Sequence, residues 1–175
     1  GNNFTAGTMD LQVDDGGVSS PVELGDLFPG SIGTFGNWTI KNAASVPGNL
    51  SISVGKITNN ENTRYEVEES NGDTTEDVGE LGSKLKVAFW MDVDKNGGWS
   101  SGDYYLTTTK DTIQSRVSGD TLPVGAYATL DSYDSLSWAD VQTDLDANKD
   151  IGKFTISYEF PEGGASDNVA QSDSC

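Results

Sequence analysis

The sequence predicts an all-β protein, a jelly-roll sandwich of about eight to ten strands with one short helix and long acidic loops. Three observations point there. Lys84 to Val93 alternates without a break, with Leu85, Val87, Phe89, Met91 and Val93 on one face. Lys153 to Phe160 repeats the pattern with Phe154, Ile156, Tyr158 and Phe160. Between such stretches lie clusters of Gly, Asn, Asp, Ser and Pro, while helical periodicity is nearly absent.

Taken in order, the first strand runs from Phe4 to Val13, placing Met9, Leu11 and Val13 on one face and Thr8, Asp10 and Gln12 on the other. Asp14-Asp15-Gly16-Gly17 is turn chemistry, and Pro21 to Gly33 reads as a loop. Phe35 to Lys41 and Asn49 to Thr58 are the next strands, joined through Asn42 to Gly48. Asn59 to Gly82 is acidic and poor in apolar residues, an excursion with room for one short edge strand. Tyr104 to Thr109, Thr112 to Val117 and Gly125 to Leu130 read as short strands. Ser137 to Leu145 follows a Ser cap and spaces Trp138, Val141 and Leu145 helically, so the short helix is expected there.

A length of 175 residues with 34% hydrophobic content suits one domain, residues 1–175, with a single core. The net charge of −18 repels polyanions, which argues against nucleic acids and acidic membranes as partners and in favour of cations. No apolar run reaches membrane-spanning length, so membrane insertion is not expected. A chain starting at Gly1 suggests a processed N-terminus, and the single cysteine, Cys175, rules out an internal disulfide. Asn3, Asn37 and Asn49 each head an Asn-X-Ser/Thr triplet and are candidate glycosylation sites.

Two stretches are spaced for chemistry. Asp92 to Asp103 matches a twelve-residue calcium loop at positions 1, 3, 5, 6 and 12, with Asp in place of the usual final Glu. A hard cation needs six to eight oxygens, and Asp92, Asp94, Asn96, the Gly98 carbonyl and Asp103 would supply them once Gly97 allows the turn. A strand enters this loop where an EF-hand would have a helix, and a solvated acidic turn is the rival reading. Asp144 to Asp150 also alternates oxygens but lacks the turning glycine, so an acidic turn explains it better than a second cation site. With no histidine in the chain, neither an HExxH zinc site nor a histidine-dependent nucleophile relay can form. Trp38, Trp90, Trp99 and Trp138 could be sugar-stacking platforms, but packing is the plainer role for each, and Trp90 should face away from Phe89.

Five landmarks in order resemble the TasA/camelysin family. They are Phe4-Thr5-Ala6-Gly7-Thr8-Met9-Asp10-Leu11; Leu27-Phe28-Pro29-Gly30; the pair Trp38 to Asn42 and Gly48 to Ile52; Met91 to Gly97; and Asp167 to Ser174. The resemblance implies a secreted jelly-roll subunit of biofilm fibres or archaeal bundling pili. Such subunits join head to tail as a homopolymer when an N-terminal segment completes the sheet of the next copy. It places the donor role on Asn2, Asn3, Phe4, Thr5, Ala6, Gly7, Thr8, Met9, Asp10 and Leu11, within residues 1–11, and leaves 162–175 as a tail or incomplete last strand. The family's other label, metallopeptidase, is discounted because histidine is absent. The expectation is therefore a non-enzymatic extracellular filament subunit with structural Ca2+. A monomeric calcium-stabilised carbohydrate-binding module is the alternative.

Overall fold

The computed structural model describes residues 4–5, 8–11, 20–23, 26–27, 30–42, 44–58, 81–109, 113–115 and 119–161. In chain order the strands are β1 (Phe4–Thr5), β2 (Thr8–Leu11), β3 (Ser20–Glu23), β4 (Asp26–Leu27), β5 (Ile32–Lys41), β6 (Gly48–Ser53), β7 (Lys86–Asp92), β8 (Tyr104–Leu106), β9 (Ile113–Ser115), β10 (Ala128–Thr129), β11 (Ser137–Leu145) and β12 (Asp150–Glu159). A short helix, α1 (Leu81–Lys84), precedes β7.

The main sheet runs β5-β12-β7-β8-β9, with β10 also pairing β7, and all of its pairings are antiparallel. The β6–β11 pair forms a separate two-stranded sheet, and the core lies between the two layers: Val87, Phe89, Met91, Tyr104, Leu106, Phe154 and Ile156 pack with Trp138, Leu50 and Ile52. The protein is thus an all-β sandwich with layers of unequal width.

Strand β7 reads Lys-Val-Ala-Phe-Trp-Met-Asp and is buried from Val87 onward. Apolar residues at every position are what a central strand covered on both faces requires. Val87, Phe89 and Met91 enter the inter-sheet core, while Ala88 and Trp90 enter a second cluster with Trp99, Tyr105 and Ala126. Trp90 does face away from Phe89, and its own chain covers it: it is 6% exposed, packs edge-on to Trp99 and donates from Nε1 to Ser157 Oγ at 3.0 Å. Tyr133 fixes the strap over β7. Its ring packs edge-on to Phe89, and its hydroxyl lies 3.2 Å from the Val87 carbonyl and 3.3 Å from that of Ala126.

Several expectations are corrected. Ser137–Leu145 is a strand and not a helix. From Trp138 to Gln142 four steps along β11 oppose two along β6, and from Gln142 to Leu145 three oppose two. Extra residues bulge outward, Asp140 (φ 50°) and Asp144 (φ 54°) adopt left-handed backbone, and the inward side chains therefore fall at helix-like intervals. The loop expected from Pro21 to Gly33 contains β3, β4 and the start of β5. Between Gly125 and Leu130 only Ala128–Thr129 is strand, set between the 3-10 turns Val124–Ala126 and Leu130–Tyr133, and the Asn49 strand ends at Ser53. Residues 59–80 and 162–175 lie outside the described residues, as do Asn2, Asn3, Ala6 and Gly7 of the expected donor strand.

Phe4–Thr5 pairs antiparallel with Asp26–Leu27 (Phe4↔Leu27), and Thr8–Leu11 pairs antiparallel with Ser20–Glu23 (Leu11↔Ser20). Among the described residues, these four strands pair only with one another.

Candidate metal centre

The acidic loop begins where β7 ends and closes where β8 begins. Adjacent strands of one sheet thus hold Asp92 and Asp103 at its two ends. Between them Lys95 (φ 59°), Gly97 (φ 89°) and Gly102 (φ 102°) take left-handed backbone, which curls the loop back on itself.

One carboxylate oxygen from each of Asp92, Asp94 and Asp103 lies within 4.8 Å of the others. Asp92 and Asp103 are buried, at 1% and 0% exposure, and Asp94 is exposed at the mouth. Asp103 Oδ1 accepts the Val93 N–H at 2.8 Å, and Oδ2 accepts the Ser100 N–H at 2.8 Å. Asp92 Oδ1 accepts the Asn96 N–H at 3.2 Å, and Oδ2 accepts that of Gly97 at 2.9 Å. Asp94 Oδ2 accepts Asn96 Nδ2 at 3.0 Å and the Ser100 hydroxyl at 3.1 Å. Both oxygens of Asp92, Oδ1 of Asp94 and Oδ1 of Asp103 accept one bond each and keep a further lone pair, so these bonds orient the carboxylates without exhausting them.

Electrostatically the cluster is uncompensated from within. Among the described residues the ion pairs are Lys95–Asp150 at 3.9 Å and Lys149–Asp146 at 3.3 Å, and neither reaches the three carboxylates. Burial holds the Asp92 carboxyl above the usual carboxylate range, helped by its hydrogen bond to Asp94 and the charge of Asp103, against the N–H groups of Gly97 and Asn96. For Asp94, desolvation pushes upward but is outweighed by hydrogen bonds to Asp92, Ser100 and Asn96, which leave it lowered. Three carboxylates this close, two of them out of water, favour a cation among them.

The structure brings together Asp92, Asp94 and Asp103 as expected for the loop. Asn96 joins them through hydrogen bonds, and Gly98 is tied in by its N–H to Asn96 Oδ1 at 2.9 Å. Ser100 was missed in the sequence reading, although its hydroxyl bridges Asp94 and, at 3.3 Å, Asp103 Oδ2. Its position nine in the twelve-residue loop was the available signal. Asp144, Asp146 and Asp150 are all exposed and form no such group, and Asn148 (φ 57°) supplies the left-handed turn that glycine would have given.

The tryptophans pack inward. Trp90, Trp99 and Trp138 are buried and Trp38 is half-buried against the core; Trp99 Nε1 has no hydrogen-bond partner among the described residues. Asn37 is exposed on β5. Asn49 is occupied structurally: its Nδ2 donates to Asp140 Oδ1 and its Oδ1 accepts the Asp144 N–H, both at 3.2 Å, bracing the two bulges.

Residues 1–175 match the family described as camelysin metallo-endopeptidase. No curated protein and no solved structure matches the chain. The metal implied by that description can be tested against the donors present. A catalytic zinc site is built largely from imidazole and thiolate, and this chain contains no histidine and one cysteine. The carboxylate group of the loop does not fit that chemistry and does suit a hard, oxygen-preferring cation.

Proposed function

We propose that this chain, which belongs to the camelysin metallo-endopeptidase family and whose N-terminal strands pair only with one another among the described residues, is a secreted structural subunit, and a non-enzymatic one because it has no histidine for the zinc site that the family's description implies. It polymerises head to tail by strand donation into an extracellular filament. The hairpin is the observation that carries this reading. Two strands without a third are marginal in water, so the segment from Phe4 to Leu11 gains most of its stability by joining another sheet. When that sheet belongs to the next copy, the contact does not close on itself and propagates.

Calcium at Asp92, Asp94 and Asp103, with Asn96 and the Gly98 carbonyl, rigidifies the β7–β8 loop in this reading. The surroundings of the tryptophans do not favour the carbohydrate-binding alternative, since three are buried and the fourth lies against the core. Electron microscopy of purified protein tests the proposal. Filaments are expected for the full chain and are expected to be lost when residues 1–11 are deleted. Monomers throughout a range of salt, calcium and protein concentration would overturn it.

A further inference from the structure

The acidic loop contains an Asn–Gly pair, Asn96–Gly97; the same pair occurs once more in the chain, at Asn71–Gly72, outside the described residues. Such a pair has a chemistry of its own that needs no ligand. The backbone nitrogen of Gly97 can attack Cγ of Asn96, and Gly97 has no Cβ to hinder the approach. A C–N bond forms, the Cγ–Nδ2 bond breaks, and Nδ2 leaves as ammonia with the proton from the Gly97 amide, giving a succinimide. Water then opens the ring at either carbonyl, to aspartate or to isoaspartate.

Asn96 is exposed to water, and Lys95 (φ 59°) and Gly97 (φ 89°) on either side of it take left-handed backbone. Yet each group that the attack would use is held by the folded loop. The Gly97 N–H donates to Oδ2 of buried Asp92 at 2.9 Å, which occupies the nucleophile. Asn96 Nδ2 donates to Asp94 Oδ2 and to Ser100 Oγ, both at 3.0 Å, and Asn96 Oδ1 accepts the Gly98 N–H at 2.9 Å. The carboxamide is thus tied at both ends, and turning it onto the Gly97 nitrogen breaks these bonds, so the reaction waits for the loop to open.

We infer that Asn96 is a self-modification site guarded by the folded loop, and that a cation held by Asp92, Asp94 and Asp103 slows the reaction by keeping the loop closed. The cation half rests on the calcium reading above; the guard by hydrogen bonds does not. Isoaspartate makes the opening permanent. It inserts a methylene into the main chain between the N–H of residue 96, which holds Asp92 Oδ1 at 3.2 Å, and the Gly97 N–H, which holds Oδ2. The two donors then no longer match the two oxygens of one carboxylate. A subunit that has spent time without its cation carries a covalent record of it.

The test follows conversion at Asn96 in the full chain by peptide mapping and mass spectrometry at neutral pH, in chelator, in calcium and in denaturant, with calcium affinity measured by calorimetry. Conversion in chelator should be at least about five-fold slower than in denaturant, the worth of one hydrogen bond. Calcium at about ten times its measured Kd should slow it about ten-fold further. Asp94→Ala, which removes one acceptor of Nδ2, should speed conversion in chelator by about five-fold. Purified isoaspartate chains should bind calcium at least about ten-fold more weakly than unmodified ones. Equal rates in chelator and denaturant would overturn the guard, and calcium that binds without slowing conversion would overturn the cation's control. Isoaspartate chains that bind calcium as tightly as unmodified ones would overturn the permanent record. Calcium that does not bind at all would overturn the cation reading, and the ratio of rates in chelator and denaturant would still decide the guard. Should Asp94→Ala misfold, the wild-type rates decide alone.

Discussion

Asp103 and Asp94 face the same loop, yet their removal should read differently. Asp103 is buried and satisfies the N–H groups of Val93 and Ser100, so Asp103→Ala should destabilise by about 2–4 kcal/mol even in chelator, because two donors lose their acceptor. Exposed Asp94 should matter mainly through the ion. Asp94→Ala should lower the melting temperature in calcium and leave it nearly unchanged in chelator; equal losses in both would mark the loop as an ordinary acidic turn. Asp92 adds a pH signature. Its carboxyl titrates above the usual range in the fold, so its favourable contribution is full at low pH and is lost as pH rises through the folded value. In chelator, the stability of Asp92→Asn relative to wild type should therefore increase as pH rises above about 4, where the unfolded carboxylate ionises first, as measured by denaturant titration. Tyr104 and Tyr133 act at the other extreme. Burial pushes both hydroxyls well above the ordinary phenol range, with the charge of Tyr105 adding to the effect on Tyr133. Above about pH 10 the unfolded chain ionises first and the fold loses stability. Tyrosinate absorbance from these two residues should appear only with global unfolding.

At the scale of elements, bulges decide which side chains meet. Asp144 lies in left-handed backbone on β11 with its N–H held by Asn49. Asp144→Gly should be tolerated, while Asp144→Val should cost about 1–2 kcal/mol, since a branched Cβ is disfavoured at positive φ. Gly152 on β12 is more constrained. At φ 152° a Cβ there would sit 2.8 Å from Met91 Sδ and 3.0 Å from the Asp92 carbonyl, so Gly152→Ala should destabilise by about 1–3 kcal/mol and loosen the acidic loop with it. These bulges also explain what the sequence hid. Trp138, Val141 and Leu145 showed helical spacing because the extra residues of β11 bulge out of the pairing, and a one-dimensional periodicity cannot tell a bulged strand from a helix. Strand β3 was obscured by Pro21, which local rules assign to a turn, although proline is accepted at the edge of a two-stranded ribbon.

For the whole molecule, a charge of −18 on 175 residues means that the compact state works against its own field. Raising monovalent salt from about 0.01 M to about 0.15 M should raise the melting temperature and promote assembly; a flat response would show that the field is locally neutralised. The sequence by itself determined the class of fold, the central strand β7, the partnership of Phe154 and Ile156 with the core and the acidic loop, because each rests on local alternation or local spacing. It also determined the lack of imidazole for a zinc site, which is a matter of composition. Only the tertiary structure decided that β7 and β8 lie side by side to close the ring of Asp92, Asp94 and Asp103, that Trp90 is covered by Trp99, and that β5 is left at an edge. Those outcomes depend on which distant strands hydrogen-bond to one another, a long-range choice that no window of neighbouring residues encodes.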